Sequence, residues 1–127
     1  MTDQKAEIEP GWRPPEAIQQ LVDAGCLDLV PELIHSFTSD VASRIQTARA
    51  AADQGDITRL QRSIHSVKGS ALQMGAGQLA SICREIETAG PAAGGYHLRI
   101  AELCAAFRET EHAMGDYLSL VGAGAAR

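Results

Sequence analysis

The sequence predicts an all-α protein: an antiparallel up-down-up-down four-helix bundle with a short N-terminal capping helix. Three observations carry this. Alanine fills 21 of the 127 positions and aromatic residues only 4%. Alanine is the best helix former, whereas strands prefer aromatic and β-branched side chains. Apolar residues recur at helical spacing in four stretches, and the glycine-bearing breaks between them are short, so successive helices must double back. A chain of this length with 45% apolar residues makes one domain with a buried core, and it shows no internal repeat.

The elements follow in order. Residues 1–13 read as a flexible acidic leader. Pro14 and Pro15 open a short helix, because a first turn does not need the missing N–H, and Gly25 closes it. Asp28 is the expected N-cap of the first long helix, with Pro31 in its first turn. This helix should run to about Gln54 on a stripe of Val30, Leu33, Ile34, Phe37, Val41, Ile45, Ala48 and Ala52. Gly55-Asp56 stops one helix and caps the next. The second long helix carries Ile57, Leu60, Ile64, Val67, Ala71 and Met74. Gly75 and Gly77 bracket a break, and Leu79, Ile82, Cys83 and Ile86 form the third stripe. The run from Gly90 to Gly95 is a turn that no helix should cross. Ile100, Leu103, Cys104, Phe107, Met114, Leu118 and Val121 define the last helix. The expected domain is 14–121, and residues 122–127 should form a disordered tail.

Composition excludes several functions. The net charge is −5 with 11 basic residues, so the basic footprint of a nucleic-acid binder is missing. No apolar run is long enough to span a membrane. The N-terminus MTDQKAEIEP lacks the apolar segment of a secretory signal. Three cysteines, Cys26, Cys83 and Cys104, are odd in number and without C-x-x-C spacing. They fit neither a disulfide framework nor a zinc site, and a reduced, cytoplasmic protein is expected.

The second long helix holds the chemistry. At about 100° per residue, with the apolar stripe centred on zero, His65 falls at about 140°, off the core. Gln61, Arg62, Lys68, Gly69 and Leu72 are its surface neighbours at three, four and seven positions. Neutral imidazole is a good nucleophile and is well populated near pH 7. Lys68 can neutralise an arriving phosphoryl group and Arg62 can add field. Gly69 leaves room for a partner's active site, and a glycine inside a helix costs roughly 1 kcal/mol against alanine, which asks for a reason. Leu72 supplies exposed apolar area for docking. Arg59, Arg62 and Lys68 should surround His65 against Asp56 only, a basic spot on an acidic protein.

The stretch from His65 to Glu87, HSVKGSALQMGAGQLASICREIE, resembles the signature of histidine-containing phosphotransfer (HPt) domains. That signature reads His-x-hydrophobic-Lys-Gly-Ser-Ala, a Gly-Ala pair, leucine, then Cys-x-x-hydrophobic-Glu. Gly75-Ala76, Leu79, Cys83, Ile86 and Glu87 fall in step with it, and Phe37, Asp40, Gly55-Asp56 and Phe107 fit the flanks. The resemblance extends over about residues 15–121. It implies a bundle with one phosphorylatable histidine, which takes a phosphoryl group from a receiver-domain aspartate and passes it to another receiver. Such a protein is a phosphocarrier, not an enzyme. It has no ATP site and no cofactor of its own; the receiver supplies the Mg²⁺. Carried over, His65 is the phosphorylated residue, Lys68 steadies the phosphoryl group and Gly69 admits the receiver. Glu87 stands where some members have a glutamine that hydrogen-bonds near the histidine. It could orient the imidazole, while its charge opposes the phosphoryl group. Receiver domains are the expected partners of a monomer, and Met1 points to a free-standing protein.

Rival readings fare worse. Glu32-x-x-His35 and Glu109-x-x-His112 echo a carboxylate-histidine metal bundle, yet all four residues fall at about 120–200° from their stripes, facing water. A histidine-kinase dimerisation helix usually has an acidic residue after the histidine, where this chain has Ser66. A plain interaction bundle leaves the His-Lys-Gly spacing as coincidence. Cys83 and Cys104 should pack as small hydrophobes, and Cys26 should sit at an exposed turn. His97 reads as a surface residue. Trp12 can anchor the leader, and Ile18, Leu21 and Val22 either join Leu72 in docking or pack on the bundle end.

Overall fold

The computed structural model describes residues 12–89 and 95–125, with side chains to 122. Among them are five helices and no strand: α1 (Glu16–Asp23), α2 (Leu29–Gln54), α3 (Ile57–Met74), α4 (Gly77–Ala89) and α5 (Gly95–Ala125). Helix α2 packs on α3, α3 on α4, α4 on α5, and α5 back on α2, while α1 lies against α2. The four long helices thus close a ring around one core.

The local signals act through identifiable contacts. Gly55 and Gly75 both take left-handed backbone, with φ of 73° and 79°, and end α2 and α3. Asp56 caps α3, its side chain accepting from the Arg59 N–H at 3.2 Å. Asp28 departs from expectation: it precedes α2 but makes no side-chain cap. The turn before α2 already serves the first amides, since Leu29 N–H donates to the Cys26 carbonyl and Val30 N–H to that of Leu27. Helix α5 is longer than its stripe suggested. It starts at Gly95 and runs through the first residues of the expected tail to Ala125. Most of the expected 90–95 turn lies outside the described residues, as do residues 1–11 of the expected leader.

The core takes most of the anticipated stripes. Leu60, Ile64, Leu79, Ile86 and Leu103 are fully buried, and each such side chain contributes about 1.5–3 kcal/mol by leaving water. Ala52, Ile57, Ile82, Cys104 and Leu118 pack on the rim of the core. Leu33 is a correction. It is 40% exposed, in a groove it shares with Pro15, Ile18, Phe37 and Met74. Its helical phase is right, but α1, only 8 residues long, does not cover it.

Trp12, inside the expected leader, belongs to the core. Its indole N–H donates to the Met74 carbonyl at 2.7 Å, satisfying one of the carbonyls that the end of α3 leaves open. Its ring meets Tyr117 of α5 edge-on at 5.6 Å. Gly75 makes this docking possible: a Cβ there would lie 2.8 Å from the Arg13 carbonyl oxygen. Ile18 is fully buried, and Leu21 and Val22 pack partly buried against the core, so these three hold α1 in place.

Candidate functional site

Helix α3 turns its apolar stripe inward, and His65 emerges on the opposite side with its side chain 74% exposed. One turn on, Lys68 is largely covered, because α4 packs beside it and brings Glu87 over the pair. The carboxylate serves both neighbours. Glu87 Oε1 lies 2.6 Å from Lys68 Nζ, and Glu87 Oε2 lies 2.9 Å from His65 Nδ1.

Burial pushes the Glu87 carboxyl up, but the hydrogen bonds and charges of Lys68 and His65 outweigh it and hold the group below the usual carboxylate range. The carboxylate is therefore ionised at neutral pH and can only accept. The neutral form of His65 must then donate from Nδ1–H, which leaves its lone pair on Nε2, the outer ring nitrogen. One acidic side chain thus chooses the tautomer of an exposed histidine and tethers a lysine beside it.

The surroundings refine the expected basic spot. Arg59 and Arg62 of α3 do flank His65, and Arg44 joins them from α2 to line one groove with Gln61, Ser63, Ser66 and Glu87. The opposing charges are not Asp56 alone. Glu87 neutralises Lys68, and Asp40 pairs with Arg44 at 3.1 Å. The positive field at His65 therefore comes chiefly from the arginine flank. Arg44 could not be found from the sequence, since only the packing of α2 on α3 brings it to the groove.

Gly69 is exposed, and a Cβ placed on it would meet no atom within 4 Å. Nothing inside the fold requires a glycine there. Leu72 is 55% exposed on the same helix. Gln61 is engaged elsewhere: its side-chain amide donates to the Tyr96 hydroxyl at 3.0 Å, tying α3 to the first turn of α5. Tyr96 itself is buried, and its place in a glycine-rich stretch gave no sign of this.

Cys83 is buried, and burial first, then the Glu87 charge, push its thiol up to about 12 against a smaller opposing effect of Lys68. It is a packed hydrophobe, not a nucleophile. Cys26 and Cys104 are half-buried free thiols. His97 sits in the first turn of α5 with Nε2 2.9 Å from Asp53 Oδ1. Glu32, His35, Glu109 and His112 are all exposed. Among the described residues, no three His, Cys, Asp or Glu side chains gather to hold a metal ion.

A ring of four helices thus presents an outward histidine with a lysine one turn on, in keeping with the resemblance of the sequence to HPt domains. Comparison with known families agrees. The model of the Hpt domain matches residues 32–118, most of the chain, and the chain belongs to that family. Hpt domains are phosphocarriers of two-component systems, and they interact with receiver domains in phosphorelays. No curated protein and no solved structure matched the chain. Among the described residues, no helix is long and apolar enough to cross a membrane.

Proposed function

We propose that the chain is a phosphorelay intermediate in which His65 accepts a phosphoryl group from the aspartyl phosphate of one receiver and delivers it to the aspartate of another. The His65 Nε2 lone pair attacks phosphorus, the P–O bond to the receiver aspartate breaks, and its electron pair returns to the carboxylate. The reverse step loads the next receiver. The observation that carries this reading is the exposed imidazole whose Nδ1–H is committed to Glu87, leaving Nε2 as the free nucleophile.

Other residues take supporting parts. Lys68 shifts part of its bonding from Glu87 to the phosphoryl oxygens. The open space over Gly69 admits the receiver's active site. Leu72 offers apolar contact, Arg62 adds favourable field toward an acidic receiver pocket, and Gln61 braces α3 against α5. The receiver supplies Mg²⁺, and the chain acts as a monomer without a cofactor. The two-residue connections Gly55-Asp56 and Gly75-Ala76 support an antiparallel, up-down course for the bundle.

The test is incubation with phosphorylated receiver domains and Mg²⁺. Label on the protein should be acid-labile and base-stable, and it should vanish in His65→Gln while the helical circular dichroism stays unchanged. Failure to acquire label from any receiver of the source organism would overturn the proposal.

A further inference from the structure

We propose that Glu87 keeps the Nδ1 proton on the His65 ring after phosphorylation, and so holds the phosphorylated ring in the form that readily gives up its phosphoryl group. This rests on the phosphotransfer reading above and adds a control on the lifetime of the phosphorylated state.

The chemistry follows from the leaving group. When an acceptor oxygen attacks phosphorus, the P–N bond breaks and its electron pair returns to Nε2. If Nδ1 carries a proton, neutral imidazole leaves. If that proton has been lost, the leaving group is the imidazolate anion, which is far more basic and departs slowly. The phosphorylated ring with its Nδ1 proton carries a positive charge, and an anion in contact with it favours that form.

The geometry supplies that anion. Glu87 Oε2 is 2.9 Å from Nδ1, on the side of the ring away from Nε2. The groups facing the ring come from three helices: Arg44 from α2, Arg59, Arg62 and Lys68 from α3, and Glu87 from α4. The four cations oppose a charged ring. Among the described residues only Glu87 is hydrogen-bonded to it, and Coulomb energy falls with distance, so the contact with the carboxylate governs. Lys68 fixes the other carboxylate oxygen at 2.6 Å and keeps Glu87 aimed at the ring. A glutamine in that position could accept from Nδ1–H but could not offset the charge. With Glu87, accepting and donating the phosphoryl group both proceed with the same proton left on Nδ1, and neither step needs an added acid or base at His65.

The test needs no cognate partner. Wild type and Glu87→Gln are loaded with phosphoramidate, excess reagent is removed, and loss of the phosphohistidine signal is followed by ³¹P NMR from pH 6 to pH 9. Water is then the acceptor, and the leaving group is the same. The ratio of the wild-type rate to the variant rate should rise about tenfold over this range, since one unit of proton affinity is a factor of ten in the protonated fraction. A ratio that stays flat with pH overturns the role of Glu87, whatever the absolute rates. A second measurement uses wild type alone. Its phosphorylated ring should keep the Nδ1 proton, read from the ¹⁵N shift, to higher pH than free phosphohistidine does; equal titration overturns the proposal. Wild type that takes no phosphate on His65 under conditions that label free histidine instead counts against the phosphotransfer reading itself.

Discussion

Lys68 and Glu87 meet across the seam of α3 and α4 at 2.6 Å, so the ammonium is partnered before any phosphoryl group arrives. Both side chains are largely covered, which lifts the pair above the low value of an exposed surface ion pair. Replacing Lys68 with alanine removes the cation and also leaves the Glu87 charge unneutralised beside the incoming anion. Initial rates of transfer from a phosphorylated receiver should fall about tenfold or more, the range of one charge-assisted hydrogen bond. The circular dichroism of the folded bundle should persist.

The same bond has a signature in acid. The Glu87 carboxyl sits below its ordinary range in the folded protein, where Lys68 and His65 bond to its charged form. Its stabilising contribution is thus fully present above the ordinary glutamate value and is lost as pH falls through the depressed folded one. Urea midpoints measured at pH 7 and at pH 3 should therefore drop further for wild type than for Glu87→Gln, which has no proton to gain at that position.

Gly69 separates function from stability. The Cβ of a leucine there meets no atom within 4 Å, and the substitution removes the helix penalty of glycine, so Gly69→Leu should raise stability by up to about 1 kcal/mol. The added side chain stands beside His65 on the approach to a receiver. Phosphotransfer should fall steeply while the melting temperature holds or rises, a pair of opposite changes that a packing defect would not give.

Gly75 should behave in the contrary way. Its φ is 79°, and a Cβ at this position would stand 2.8 Å from the Arg13 carbonyl oxygen, so there is no room for a side chain. Gly75→Ala should cost about 1–2 kcal/mol for the left-handed backbone alone, and more for the displaced segment that carries Trp12. Urea unfolding followed by Trp12 fluorescence reads this directly, because the indole leaves its contact with Met74 and Tyr117 when the segment lifts.

Much of this molecule is written in local pattern. The breaks at Gly55 and Gly75 could be read from glycine and aspartate chemistry, and both glycines take the left-handed backbone that justifies them. The outward position of His65 followed from helical phase, since a residue opposite a continuous apolar stripe must face water once that stripe is buried. Where phase alone was used to assign burial, it erred at Leu33, because phase gives a direction and not the neighbour that covers it.

The sequence by itself therefore determined the helices, their apolar faces and the nucleophile candidate with Lys68 and Gly69 at helical spacing, because each depends on residues within a few turns of one another. Only the tertiary structure decided what surrounds that histidine. Glu87, set near the histidine beforehand only by the family resemblance, is 22 residues away along the chain, and Arg44 lies on another helix. A hydrogen bond between side chains on different helices depends on the rotation and offset of one helix against the next. Those are set by how whole side chains fill the shared core, so the tautomer of His65 and the partner of Lys68 emerge only when α3 and α4 are packed together.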